Sequence, residues 1–200
     1  RSWRFCVFAV VSFAEKIGSF ALQQAGLGDA TAQFCVYVAN SPPMPEYQQL
    51  SSVQALQPGD IDLIYRHCGN GWRKIFNVYA KLLFALDKSL FPYAATAQSW
   101  QQFRDTALLQ QHSNTALLFS PPQLLPDTPQ QIHLIAGRTH AKQLQGAGLG
   151  AELHWLNDEF AIDLKQRVLV TPFFDYRQLN NAKIIESARL LALLRQQNPQ

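Results

Sequence analysis

Short runs of consecutive apolar residues alternate along the chain with stretches in which apolar residues recur every three or four positions. Turn-forming residues bound each run, which is typical of strands that are buried on both faces of a sheet. The pattern predicts four strands: Phe34–Ala39, Thr115–Phe119, Ile132–Ala136 and Arg167–Val170. A further run at 152–156 is a candidate for a fifth strand.

The stretches of helical period predict the helices that connect these strands. Asn180 or Asn181 stands where it can cap the last of them. Because strands alternate with helices, the sequence predicts an α/β fold, a three-layer sandwich with a mostly parallel central sheet of four to five strands and helices on both faces. The predicted helices cover about 72–86, 97–111, 139–145 and 184–194.

The first thirty residues are predicted to be an appendage to a single α/β domain over 31–200. Basic residues, a short apolar run and then Ser12-Phe13-Ala14 open the chain. This order resembles a secretory signal that is cleaved after Ala14. Ser12 with Glu15 is also a capping box, and it would start a helix for which Gly26 is the C-cap. The apolar run is far shorter than the ~20 residues that a membrane span needs, so no membrane partner is expected.

The cysteines indicate the compartment. Cys6, Cys35 and Cys68 include no C-x-x-C pair and cannot form a closed set of disulfides. His67 beside Cys68 has no second pair at metal-ligand spacing, so the sequence predicts no metal and no cofactor. Cys35 could pair with Cys68 if Cys6 were removed with a signal. A reducing, cytoplasmic location is therefore predicted, with a secreted or periplasmic one as the alternative if residues 1–14 are a signal.

The charge of the chain limits what it can bind. Seventeen Lys and Arg against fourteen Asp and Glu give a net charge of +3. Arg1 and Arg4 precede the first acidic residue, which leaves fifteen cations against the same fourteen acids, a net charge of +1. Affinity for nucleic acid would therefore need a local cluster of cations. The best candidate contains Arg66, Arg73 and Lys74 around an indole, and the alternative is a solvated helix start with that indole in the core.

Ligands of parallel sheets bind beyond the carboxyl ends of the strands. Two of the loops that follow the predicted strands combine rigid prolines with aromatic and polar side chains, namely 40–47 and 171–177. Candidate functional residues are therefore sought in these loops first.

Five segments of the chain resemble, in the same order, those of the uracil-DNA glycosylase superfamily, which has a three-layer α/β fold. Asn40-Ser41-Pro42-Pro43 after the first strand is similar to the family's Gly-x-Asp/Asn-Pro loop, and Gly137 opens a step similar to the family's Gly-x-x-Ala. The segments extend over about 165 residues. They are Phe34–Pro43, Trp72–Leu83, Ala116–Ser120, His133–Ala141 and Val168–Phe173.

The resemblance implies a site that takes a base extruded from nucleic acid. In the family, an Asp or Asn after the first strand positions water, and a histidine after the last strand stabilises the leaving base. Asn40 stands at the first position, whereas Thr171 replaces the histidine and cannot carry charge. Asp175 is a candidate substitute that could orient water. These three are the candidate catalytic residues, and an active enzyme of this kind would hydrolyse an N-glycosidic bond.

The resemblance also implies the substrate-binding candidates. Pro42 lies in the first loop, and Phe119 or Ser120 replaces the family's base-reading asparagine. Arg177 together with Asp175 could grip a phosphate. The alternative is that Asp175 caps the region before the last helix and Arg177 pairs with it at the surface.

Two functions remain open on these grounds. The first is a diverged or inactive relative of the glycosylases that binds a nucleobase, a nucleotide or nucleic acid in the loops after the strands. The second is a noncatalytic protein-interaction module on the same scaffold, with Arg73 and Lys74 as its candidate contacts. Neither function predicts an oligomeric state.

Overall fold

The computed structural model describes residues 24–125 and 130–196. Within these residues the chain forms an eight-stranded sheet and six helices, which confirms the α/β class. The strands are β1 (Gly26–Gly28), β2 (Phe34–Tyr37), β3 (Val53–Gln54), β4 (Thr115–Leu118), β5 (Ile132–Ala136), β6 (His154–Trp155), β7 (Ala161–Asp163) and β8 (Val168–Thr171). The helices are α1 (Pro45–Gln48), α2 (Asp60–Cys68), α3 (Asn70–Ala85), α4 (Trp100–Thr106), α5 (Arg138–Gly146) and α6 (Asn181–Gln196).

The sheet is larger than predicted, and it is mixed. Its strands lie in the order β3-β1-β4-β2-β5-β8-β7-β6. The four predicted strands are confirmed, and as β4, β2, β5 and β8 they form its parallel centre. Antiparallel pairing of β1 with β4, β7 with β8 and β6 with β7 extends it on both sides. The prediction of four to five mostly parallel strands was therefore wrong, because strands of two or three residues are too short to show a period.

Glycine allows β1 to approach β4 closely. A Cβ at Gly26 would lie 2.5 Å from the backbone oxygen of Leu117, and one at Gly28 would lie 2.3 Å from that of Thr115. Gly26 is therefore a strand residue required by packing, and its assignment as a helix C-cap was wrong. The sheet begins at this residue, inside the range assigned to the appendage. Residues 1–23, on which the signal and capping-box interpretations depend, lie outside the described residues.

Helices pack on both faces of the sheet. Phe34 and Val36 of β2 point to one face, where they join a core with apolar residues of α2, α3, α4 and α6. Cys35 and Tyr37 alternate with them and point to the other face, which is covered by α5. This alternation is what a central strand produces, because successive side chains lie on opposite faces.

The helices also largely match their predictions. α3 carries the predicted apolar stripe, and the buried Tyr79 hydroxyl on it donates a 2.9 Å hydrogen bond to the Ala116 carbonyl of β4. α6 is capped by Asn180, whose side chain accepts from the Lys183 amide at 3.1 Å. α4 is shorter than predicted, because the chain leaves helical geometry after Thr106 and enters a loop with residues of positive φ.

Candidate functional site

The carboxyl ends of β2, β4, β5 and β8 lie at one edge of the sheet, because these four strands are parallel. We call this the carboxyl edge. The loops after the four strands begin here, as the sequence predicts. α5 starts at Arg138, immediately after β5, so its N-terminus lies at the same edge.

The start of α3 packs on the end of β4 at this edge. Trp72 is buried, and its ring lies edge-on to Phe119 with 6.3 Å between the ring centroids. Trp72 also packs against Phe76, at 5.8 Å. The indole therefore belongs to the core, which was the alternative interpretation of this segment. Its contact with Phe119 brings the N-terminus of α3 to the carboxyl edge.

The loop after β8 packs beside the start of α5. Gly137 has a φ of +101°, and a Cβ on it would lie 3.7 Å from the Phe173 side chain. The Gly137 amide donates a 2.8 Å hydrogen bond to the Thr171 carbonyl. These contacts fix the loop that carries Asp175 and Arg177.

A buried carboxylate joins this loop to α3. Lys74 Nζ donates to Asp175 Oδ2 at 2.9 Å, and Arg177 Nη2 donates to the same oxygen at 2.9 Å. The Arg177 amide and Nε donate to Asp175 Oδ1 at 3.0 and 3.3 Å. We call Lys74, Asp175 and Arg177 the Asp175 cluster. It contains two cations and one carboxylate, so one positive charge remains uncompensated.

The cluster stabilises the ionised form of Asp175. The hydrogen bonds from the Arg177 side chain lower the pKa of the Asp175 carboxyl well below its ordinary value, and the Arg177 amide and Lys74 lower it further. In return, Asp175 raises the pKa of Arg177. A carboxylate whose oxygens already accept from two cations is a poor general base, because protonating it breaks these interactions.

Asp175 should therefore make the free energy of unfolding decrease as the pH falls in the acid range. A carboxyl whose pKa is lowered by folding contributes stability above its ordinary pKa, ~3.9, and loses it as the pH falls through the folded value. We expect the wild type to be more stable than Asp175→Asn at pH 7, with the difference shrinking below about pH 4. Urea denaturation from pH 7 to pH 2 measures this.

Asp158→Asn is the control for this experiment, because its carboxylate is 92 % exposed and lies 3.4 Å from Arg138. Exposed pairs of this kind contribute little. A stability difference between wild type and Asp175→Asn that stays constant over the whole pH range would contradict the role of the ionised carboxylate.

The other catalytic and base-reading candidates have varied surroundings. Thr171 is fully buried, and its hydroxyl donates to the Pro172 carbonyl at 2.9 Å. Asn40 is exposed at the start of the first loop, where Pro42 is buried. Ser120 accepts the Ala25 amide at 3.2 Å and so anchors the chain entering β1. The functional roles of these residues remain predictions.

The three predicted nucleic-acid contacts do not share one set of partners. Arg66 forms an ion pair with Asp62 one helical turn away on α2, at 2.6 Å. The Arg73 guanidinium lies over the Tyr65 ring, 5.7 Å from its centroid. Lys74 instead turns toward the loop after β8. Only Lys74 therefore joins the other candidates at the carboxyl edge.

Sequence reasoning missed Tyr176. This ring is 57 % exposed, and Lys74 Nζ lies 5.1 Å from its centroid. A cavity of about 260 Å³ beside it is lined by Lys81 and by the polar residues Asn180 and Asn181. The sequence contained one signal for Tyr176, because this aromatic residue stands between Asp175 and Arg177 in the candidate loop 171–177. The pairing of that loop with Lys74 had no signal in the sequence.

The fold and this edge define an α/β protein with an exposed aromatic ring beside the Asp175 cluster at the carboxyl ends of its parallel strands. A model of the family of unknown function DUF6942 matches residues 25–192, and the chain belongs to this family. No curated protein and no solved structure matches it. Among the described residues, no helix is both long and apolar enough to cross a membrane.

Proposed function

We propose that this protein binds single-stranded nucleic acid at the carboxyl edge, with one base stacked on Tyr176, and that it does not cleave the strand. The observation that carries the proposal is the exposed Tyr176 ring, which Lys74 Nζ approaches to 5.1 Å and which lies next in the chain to the exposed Arg177 of the Asp175 cluster. Proteins that bind single strands combine exposed aromatic rings, on which bases stack, with cations that contact the backbone.

The charge at this edge supports an anionic ligand. The Arg177 side chain is 70 % exposed, so its guanidinium can reach a phosphate while Nη2 stays on Asp175. Because the two cations of the Asp175 cluster share one carboxylate, the cluster keeps a net positive charge. A small number of such contacts is consistent with a chain of low net charge, and it implies that binding weakens with salt by a slope of ~0.7 for each phosphate contacted.

The cavity beside Tyr176 supports the nucleobase part of the proposal. Its walls include the apolar residues Val78 and Leu179 and the carboxamide-bearing Asn180 and Asn181. Carboxamides both donate and accept hydrogen bonds, which suits the edge of a base. A base stacked on Tyr176 would therefore have polar partners within the same cleft.

The surroundings of the catalytic candidates support binding without hydrolysis. The hydrogen of the Thr171 hydroxyl is already donated to a backbone carbonyl. Asp175 is held ionised by two cations. A group that stabilises a leaving base must donate to it, and a group that activates water must accept its proton. Both side chains would have to break their existing bonds first.

We expect Tyr176→Ala to weaken binding of a fluorescein-labelled single-stranded oligonucleotide about tenfold or more, because stacking on an aromatic ring contributes ~1–3 kcal/mol per base. Tyr176→Phe should bind like the wild type, since it keeps the ring. Tyr65→Ala is the matched control on α2 beside Arg73, and little change is expected. Fluorescence anisotropy at about 50 mM salt measures the affinities.

The same oligonucleotides test for cleavage. Strands that carry uracil, hypoxanthine or a mismatch are expected to be bound and recovered intact. Release of a free base in proportion to enzyme would contradict the noncatalytic part of the proposal. Equal affinity of the wild type and Tyr176→Ala would contradict the site. No binding at low salt would leave the protein-interaction module as the better proposal.

A further inference from the structure

A second cavity lies at the opposite edge of the sheet, where the parallel strands begin. It has a volume of about 320 Å³, at the lower end of the ~300–1,000 Å³ range of ligand pockets. Gln33 and Asn114, which directly precede β2 and β4, contribute to its walls, as do Tyr93, His112 and Arg195. We call it the amino-edge cavity.

The walls of this cavity have the charge that an anion requires. Arg195 comes from the last turn of α6 and His112 from the loop before β4, and the described lining residues include no carboxylate. The Asp29 carboxylate outside the lining interacts electrostatically with His112, and its oxygens are engaged, because Oδ1 accepts from Thr31 and Oδ2 accepts from the Asn114 amide at 3.1 Å. An anion in the cavity would therefore meet a guanidinium and an imidazole.

The Arg195 guanidinium is held in place over this site. Its Nη1 donates to the Gln130 carbonyl at 2.9 Å, and its Cζ lies 5.6 Å from the centroid of the Phe91 ring. A guanidinium has five N–H donors in a fixed plane, so one bond to a carbonyl leaves others for a ligand. A cation that is fixed before binding loses little entropy when the ligand arrives.

The loop that carries His112 is anchored by hydrogen bonds and has a left-handed backbone conformation at this residue. His112 has a φ of +64°, in the left-handed region that favours glycine. The loop is held at both ends, because the Leu109 amide donates to Thr115 Oγ1 at 3.0 Å and the Asn114 carbonyl accepts from the Phe34 amide at 3.1 Å. Glycine would meet this geometry at a lower cost in free energy. These hydrogen bonds fix the backbone that carries the His112 imidazole.

Tyr93 adds an unsatisfied polar atom on the same wall. Its ring lies in the aromatic cluster with Phe34, at 5.7 Å, and its hydroxyl is buried without a hydrogen-bond partner in the part of the chain that the structure describes. A buried hydroxyl without a partner is costly, so a ligand group or a water that reached it would be stabilised.

We propose that the amino-edge cavity binds a small organic anion, a carboxylate or a phosphate, through Arg195 and His112, with the ligand's apolar part against Tyr93 and Pro92. The site is separate from the carboxyl edge and does not depend on nucleic-acid binding there. Its carboxamide-rich walls, from Gln33, Gln110, Gln111 and Asn114, supply the polar partners for a ligand of this kind.

Benzoate, phenyl phosphate and neutral benzamide form a matched set of probes. We expect saturable shifts of the His112 imidazole resonance in NMR titrations with one or both anions and none with benzamide. Arg195→Gln should weaken the anion affinity at least about tenfold, because it removes a charge-assisted hydrogen bond. Which of the two anions binds identifies the head group as a carboxylate or a phosphate.

His112→Gly separates binding from folding. Calorimetric titration should show an anion affinity of about one tenth of the wild-type value or less. The melting temperature should equal that of the wild type or exceed it, because the left-handed strain is relieved. The absence of saturable shifts for both anions up to about 10 mM would overturn the proposal, since Kd values near 1 mM would be detected in that range. Unchanged affinity in both His112→Gly and Arg195→Gln would also overturn it.

Discussion

Replacing Gly28 with alanine is expected to lower the free energy of unfolding by about 3 kcal/mol or more. Gly28 has a φ of +123°, which L side chains rarely adopt. The new Cβ would lie 2.3 Å from the Thr115 carbonyl oxygen and 2.8 Å from the Ala116 Cα, both of which are backbone atoms of β4. Backbone within a paired strand cannot move aside without weakening the β1–β4 pairing, so strain and clash add.

Two other glycines are matched controls for this variant. Gly59 has a φ of +96° but no atom within 4 Å of an added Cβ, so Gly59→Ala should show the conformational strain alone, about 1 kcal/mol. Gly71 in the first turn of α3 has open space and no positive φ, so Gly71→Ala should be neutral or slightly stabilising. Urea denaturation measures all three. Equal losses for Gly28→Ala and Gly59→Ala would contradict the close pairing of β1 with β4.

Asp175→Asn is expected to strengthen binding of a single-stranded oligonucleotide about tenfold at low salt. In the wild type the carboxylate compensates one of the two positive charges of Lys74 and Arg177, and removing its charge leaves both cations to the phosphates. The asparagine keeps an Oδ1 acceptor for the Arg177 amide, so the loop should keep its conformation. The slope of log affinity against log salt should become steeper by ~0.7 for each additional phosphate contact.

Asp62→Asn is the matched control for the change in charge. It also removes one negative charge and releases one cation, because Asp62 is paired with Arg66 on α2. A change in affinity of less than about twofold is expected, since that pair lies outside the Asp175 cluster. Similar gains for both variants would mean that overall charge, and not the carboxyl edge, determines the affinity.

The parallel centre of the fold could be predicted from the sequence because its strands are fully buried. Uninterrupted apolar runs such as Phe34–Tyr37 are typical of strands that helices cover on both faces of a parallel sheet. Of the outer strands, only β6 was anticipated, because His154–Trp155 lies inside the fifth candidate run at 152–156. β1 and β3 could not be predicted, because β1 is Gly-Leu-Gly and β3 has only two residues. Their pairing depends on partners far along the chain, which a local pattern does not contain.

The position of the candidate site could be predicted, but its contacts could not. The loop 171–177 was found because ligands collect at the carboxyl ends of parallel strands. The ion pair between Lys74 and Asp175 joins residues 101 positions apart, and only the packing of α3 on the sheet brings them together. The exposure of Tyr176 was equally hidden, because the sequence does not show which aromatic of Pro172-Phe173-Phe174-Asp175-Tyr176 remains outside the core.

Photochemical crosslinking tests most directly whether the carboxyl edge is the nucleic-acid site. A single-stranded oligonucleotide that contains 5-iodouracil is bound at low salt and irradiated, and the crosslinked peptides are identified by mass spectrometry. Crosslinks are expected at Tyr176 and within 172–177, and they should disappear in Tyr176→Ala. Crosslinks that map to α2 around Tyr65 and Arg66, or a yield that does not change in Tyr176→Ala, would contradict the account.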